Sequence, residues 1–179
     1  MRTFIAIEFE NYIKEYLWAQ QQLVKEYSQK GNFTRLENFH LTLHFLGEVS
    51  PQQIESLKKV IQATVLHQQP FSLQLDRLGQ FSKGNTQIIW VGIKKSIEVE
   101  GIYDRLQNEL AGCGFPKEDR GLKPHITLAR EIVLKGNFNE LSQQIQIQPK
   151  EIFVDKLSLM ESTRVNGQLA YIPIYSKHF

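Results

Sequence analysis

Cysteine is almost absent from this chain of 179 residues: Cys113 stands alone, so no internal disulfide can form and a Cys-rich zinc site has no ligands. That usage favours a reducing cytoplasm. No apolar run approaches the ~18 residues of a membrane span. The opening Met1-Arg2-Thr3-Phe4-Ile5-Ala6-Ile7-Glu8 meets a carboxylate before a signal-length segment develops. A soluble cytoplasmic protein with no membrane contact is the expectation. Charge of one sign is lacking too, because 21 Lys+Arg against 19 Asp+Glu leaves a formal net charge of +2. A dense positive field for duplex binding is excluded, and any nucleic-acid contact should be local. There is no Gly-x-x-x-x-Gly-Lys phosphate loop. Gly112-Cys113-Gly114-Phe115-Pro116 lacks the third glycine of a dinucleotide fingerprint and carries proline where its helix would begin. Ser162, Asp155 and His178 have no nucleophile elbow around them. Neither a nucleotide cofactor nor a serine triad is expected.

What is present is ordinary for a globular protein, with 41% hydrophobic residues and enough length for one core. The 18 glutamines are scattered and form no tract, so a single domain over 1–179 is expected and no particular protein partner is suggested. Phe4, Ile5, Ile7 and Phe9 predict a buried strand over 3–9. Ile13, Tyr16, Leu17, Leu23, Val24 and Tyr27 predict a helix over 11–30 that Gly31 stops. A strand over 40–45 is followed by Ser50-Pro51-Gln52-Gln53, a capping box with proline at the first helical position. Ile54, Leu57, Ile61 and Val65 then give a helix its apolar stripe. Phe71, Leu73 and Leu75 alternate as a strand that Asp76-Arg77-Leu78-Gly79 interrupts. A strand over 88–93 completes a hairpin through Ser82-Lys83-Gly84-Asn85. Further expectations are a helix through Ile102, Tyr103, Leu106 and Leu110, a strand over 125–128, and a short helix over 138–145. Strands over 152–160 and 169–175 close the chain. This grouping predicts an α+β fold.

One internal repeat stands out: His40-Leu41-Thr42-Leu43 and His125-Ile126-Thr127-Leu128. With 5 His, 7 Thr and 20 Leu, two such matches arise by chance in roughly 2 of 10,000 cases. Strand geometry points His40 and Thr42 to one face and Leu41 and Leu43 to the other, and the second copy repeats this. Two such strands facing one groove would assemble two imidazoles and two hydroxyls. Imidazole, with an unperturbed pKa near 6.5, can serve as acid in one copy and base in the other. In-line displacement at phosphorus needs those groups on opposite sides of the phosphate, with hydroxyls bonding its non-bridging oxygens. A metal reading is weaker. His40 and His44 share a face but lie about 13 Å apart along the strand, and His40 with His125 has no evident carboxylate or thiolate companion. His44, His67 and His178 carry no pattern and are read as solvated.

The opening Met1-Arg2-Thr3-Phe4-Ile5-Ala6-Ile7 joins Phe39-His40-Leu41-Thr42-Leu43 with Phe45-Leu46-Gly47-Glu48-Val49, and Lys123-Pro124-His125-Ile126-Thr127-Leu128-Ala129-Arg130. Together these resemble the two-histidine phosphoesterase superfamily over nearly the whole chain. Within it they are similar to the RNA 2′,3′-cyclic phosphodiesterases once described as 2′-5′ RNA ligases. The resemblance implies a bilobal, pseudo-twofold α+β fold with two antiparallel sheets lining a central groove and helices packed outside. It implies neither metal nor cofactor, and as partner a single-stranded RNA end carrying a 2′,3′-cyclic phosphate, opened to a 2′-phosphomonoester. It makes His40 the donor to the leaving 3′ oxygen and His125 the acceptor that activates water, with Thr42 and Thr127 holding the phosphate. Arg130 matches a recurrent arginine of the family, yet strand parity turns it to the buried face unless the strand ends or bulges there. Phe81 and Tyr171 are candidates for base stacking or for core packing. Related activities on 2′-5′ linked oligonucleotides, ADP-ribose cyclic phosphate or tRNA halves would use the same site, and so would a non-catalytic RNA-end binding module.

Overall fold

Apolar or alternating runs form most of the strands and amphipathic runs the helices in the computed structural model, which describes residues 1–179. In chain order these are β1 (Arg2–Glu8), α1 (Asn11–Glu26), β2 (Ser28–Phe33), a 3-10 turn (Leu36–Asn38), β3 (His40–Glu48), α2 (Pro51–Thr64) and β4 (Phe71–Lys83). Then follow β5 (Thr86–Ile93), α3 (Ile97–Gly112), β6 (His125–Leu134), α4 (Phe138–Gln144), β7 (Glu151–Val154), β8 (Lys156–Val165) and β9 (Gln168–His178). Two sheets result, ordered β3-β1-β8-β9 and β2-β6-β5-β4-β7, with every pairing antiparallel. The fold is α+β, as expected. Each repeat strand, β3 or β6, pairs with an inner strand, β1 or β5, and the order then continues through two further strands. β2 is an addition outside β6 with no counterpart in the first sheet.

Ser50 caps α2 as its sequence indicates: its hydroxyl accepts from Gln53 N at 3.3 Å, while Gln53 Oε1 accepts from Ser50 N at 2.8 Å. Thirty-six buried residues from both sheets and the helices form one apolar cluster. Leu41, Leu43, Ile126 and Leu128 from the two repeats belong to it, each at most 2% exposed. Burial of each such side chain contributes about 1.5–3 kcal/mol, which fixes which face of β3 and β6 turns inward. No helix is long and apolar enough to cross a membrane.

Three elements differ from expectation. The first helix ends at Glu26, and residues 28–33 are strand β2. Ser28 Oγ donates to Val24 O at 2.7 Å and turns the chain out of the helix. The polar run Ser28-Gln29-Lys30-Gly31-Asn32 is held by pairing with β6, which no side-chain alternation announces. Asp76 and Arg77 do not end a strand; one register shift between Leu75 and Leu78 absorbs an extra residue, and β4 continues to Lys83. The run 152–160 is two strands in different sheets. Ile152 and Val154 are buried on β7, Leu157 and Leu159 on β8, and Asp155 marks the change of parity between them.

Two buried glutamines support the repeat strands from behind. α1 and α3 are each 16 residues long, and Gln21 and Gln107 are the eleventh residue of each. Gln21 Nε2 donates to Leu128 O and Thr34 O, both at 2.7 Å. Gln107 Nε2 donates to His44 Nδ1 at 2.7 Å, and its Oε1 accepts from Glu118 N at 2.9 Å. Replacing Gln21 by Leu removes both donors from buried carbonyls. An unfolding titration should show a loss of about 1–3 kcal/mol, whereas Gln22→Leu on the adjoining face should cost less than about 0.5 kcal/mol.

Candidate active site

Each repeat carries a β-bulge at the residue after its threonine. In β3, Thr42 pairs with Ala6 and His44 with Ile5, leaving Leu43 as the extra residue. In β6, Thr127 pairs with Trp90 and Ala129 with Ile89, leaving Leu128 extra. Two consecutive residues therefore turn inward, Leu43 with His44 and Leu128 with Ala129, all buried. The residue that follows returns to the groove face, and in the two repeats these are Phe45 and Arg130. The bulge is the condition that strand parity set for Arg130. It also corrects the reading of His44, which shares no face with His40 and is not solvated. His44 is 3% exposed, facing Gln107 and, at 3.6 Å, Glu118 Oε1. His67 and His178 are exposed, as expected.

Both repeat histidines are oriented alike. His40 Nδ1 lies 2.7 Å from Asn38 O, and His125 Nδ1 lies 2.6 Å from Lys123 O, in each case the carbonyl two residues earlier. A carbonyl can only accept, so Nδ1 carries the hydrogen and Nε2 keeps its lone pair. His40 Nε2 sits 2.8 Å from Thr42 Oγ1, on the same face of the same strand. β3 lies against β6, and the charge of His125 is felt at His40. No three His, Cys, Asp or Glu side chains gather in a geometry that could hold a metal ion.

Aromatic rings wall each imidazole. Phe4 and Tyr171 flank His40 with centroids at 4.8 and 5.0–5.1 Å of one another and of the ring, and Tyr171 meets it edge-on. Phe81 meets His125 edge-on at 5.1 Å, and Trp90 lies 5.9 Å from it. Phe81 and Tyr171 are thus placed beside the repeat histidines. Phe4, Phe45 and Trp90 are groove residues that the sequence reading passed over. Phe45, 62% exposed, is the open ring among them. Its position five residues after His40, as Arg130 is five after His125, was the signal that could have found it. Trp90 lies across Gly79, where a Cβ would run into the indole, so only glycine lets the ring rest on β4.

Asn38 closes the first sheet on itself. Its Nδ2 donates to Leu169 O at 3.0 Å and its Oδ1 accepts from Tyr171 N at 3.2 Å, so one amide side chain pairs with the edge strand β9 as another strand would. The sheet curls, and Tyr171 from its far edge reaches His40. The same residue thereby orients the imidazole with its backbone and a ring beside it with its side chain.

Burial in the groove disfavours positive charge on its imidazoles. Burial pulls His40 down to about 4; the hydrogen bond to Asn38 opposes this, and the charges of Arg130, Lys14 and His125 add to it. His125 is lowered chiefly by burial, with Lys123 O opposing and Arg130 reinforcing. His44 is lowered by burial against the pull of Glu118.

The model of the 2′-5′ RNA ligase superfamily matches residues 14–166. The RNA 2′,3′-cyclic phosphodiesterase of Thermotoga maritima is 30% identical over 183 aligned positions, covering 100% of this chain and 96% of that protein. The protein of the same name from Methanocaldococcus jannaschii is 35% identical over 148 positions, 82% of this chain and 80% of that one. Among solved structures, Escherichia coli LigT complexed with 3′-AMP superposes with a TM-score of 0.79 at 26% identity, covering 99% of this chain and 97% of that one.

Because the folded-state pKa of each of these three histidines lies below the ordinary 6.5, the unfolded chain binds more protons than the native protein between that value and the lowered ones. Stability should therefore fall as pH drops from 7 towards 4. A thermal melt series should show this, and His40→Asn should flatten the slope.

Proposed function

The chain belongs to the 2′-5′ RNA ligase superfamily, and on that premise we propose that it hydrolyses RNA 2′,3′-cyclic phosphate ends to 2′-phosphomonoesters with His40 and His125 as acid and base. The observation that carries the reading is the matched pair of imidazoles, each with Nδ1 tied to the carbonyl two residues earlier, so that Nε2 is the unprotonated nitrogen in both. The relatives from Thermotoga and Methanocaldococcus, both named for this activity, support it.

In the reaction His125 Nε2 takes a proton from water as its oxygen adds to phosphorus. His40 Nε2–H gives a proton to the 3′ oxygen as the P–O3′ bond breaks. One water is consumed and one 3′ hydroxyl and 2′-phosphate are formed; solvent exchange then returns both imidazoles to their starting states. Thr42 and Thr127 bond the non-bridging oxygens, where negative charge grows in the transition state. For this Thr42 exchanges its hydrogen bond with His40 for one to the phosphate. Arg130, brought to the groove face by the bulge, pairs with the same oxygens. Phe45, Phe81 and Tyr171 offer ring surface to the terminal base.

The lowered pKa of His40 belongs to this scheme. At neutral pH burial holds His40 uncharged, and a substrate phosphate anion beside it restores the proton. A low-pKa imidazolium is also the stronger acid towards a departing alkoxide. The substrate thus loads the acid that cleaves it.

His40→Ala and His125→Ala should each lower kcat about 10²–10⁴-fold with the fold retained, measured on an oligonucleotide with a 2′,3′-cyclic phosphate end. The pH profile of kcat/KM should be a bell centred below 6.5, and that of kcat should move to higher pH because bound phosphate raises the imidazole pKa values. Product analysis should show a 2′-phosphate. Turnover should survive EDTA; loss restored by zinc would place the chemistry on a metal, and tight binding without turnover would make the groove a recognition module.

A further inference from the structure

From the His125 ring, one face of the β4–β5 hairpin runs outward without a register break through the pairs Gly79–Trp90, Phe81–Ile88 and Lys83–Thr86. At ~3.3 Å per residue, Thr86 lies about 13 Å along β5 from Trp90. There Lys83 and Thr86 face Lys30 and Asn32 of β2 across an open trough of about 450 Å³ with no hydrophobic lining residue. Asn32 is the cross-strand partner of Arg130, so the trough adjoins the arginine beside the repeat histidines. Its one carboxylate, Glu131, is engaged by Asn32 Nδ2 at 2.6 Å, and the ion pairs of the chain leave Lys30 and Lys83 without a carboxylate partner.

We propose that this trough is a subsite for the sugar–phosphate backbone of single-stranded RNA just upstream of the reacting end. The inference rests on the activity proposed for His40 and His125 and deepens it by placing the strand that leads into the reacting end. An RNA strand continues away from its terminal cyclic phosphate in the 5′ direction only, so one basic extension of the groove suffices. The fold supplies one: β2, which carries Lys30 and Asn32, is the strand that the pseudo-twofold relation does not require. Lysine ammonium groups are compact point charges suited to phosphates of any sequence. With no aromatic ring in the trough, bases there are not read; base contact is confined to the rings beside the histidines. The enzyme recognises an end and the backbone behind it.

The test compares wild type with a Lys30→Glu/Lys83→Glu variant on cyclic-phosphate substrates of increasing length, starting from the mononucleotide. Anisotropy of a labelled single-stranded RNA reports binding independently of turnover. In wild type KM and Kd should fall about tenfold from mononucleotide to oligonucleotide, with the gain weakening as salt rises. The variant should lose the length dependence, and its log Kd against log salt slope should shrink by about 0.7 per lost contact. A wild type indifferent to length, or a variant that keeps the gain, overturns the subsite. If wild type cleaves neither mononucleotide nor oligonucleotide, the proposed activity fails, and the anisotropy series alone then decides the trough.

Discussion

The hydrogen bond from each imidazole Nδ1 to the carbonyl two residues before it is the constraint on which the groove depends. A histidine on a strand is free to rotate about two side-chain bonds and to hold its proton on either nitrogen. Asn38 O and Lys123 O remove both freedoms, because a carbonyl accepts from one tautomer only and at one ring orientation. Nε2 is thereby left on the groove face in both halves. The packing behind this bond is equally paired: leucine and isoleucine side chains anchor the inward faces of β3 and β6, and a glutamine at the same position of α1 and α3 reaches each strand where it bulges.

The bulges show how a symmetric scaffold acquires an asymmetric site. Each inserts one residue after the threonine and returns the next outward position to the groove, yet one half then presents Phe45 and the other Arg130. An aromatic ring and a guanidinium thus stand at equivalent places of the two halves. The extra strand β2 deepens this asymmetry by adding polar and basic groups on the Arg130 side alone. The inward residues differ as well: Ala129 completes the core in one half, whereas His44 meets Gln107 and Glu118 in the other and ties β3 to the segment leading into His125.

Burial and the charge of Arg130 together set how readily the groove imidazoles take up a proton. His40 and His125 are both lowered, chiefly by the burial penalty on a charged ring and further by Arg130. A monoanionic phosphodiester relieves that penalty for whichever ring it touches. Burial thus costs the protein stability towards low pH, because each ring takes up its proton less readily in the fold than in the unfolded chain.

Much of this was legible in the residues themselves. Spacing within His40-Leu41-Thr42-Leu43 and its copy at 125–128 decides which side chains share a face, because strand periodicity is local, and the capping box at Ser50 and the turn at Gly84 are local too. Edge strand β2, the continuity of β4 and the change of sheet at Asp155 were not legible, since each is stabilised by pairing with a strand distant in sequence. The place of His44 and the return of Arg130 and Phe45 to the groove hang on bulges, and a bulge is set by the register of the neighbouring strand. Residue order alone determined which groups were available and in what local arrangement. The tertiary fold decided which of them meet, because a register or a contact between distant strands exists only once both have been brought together.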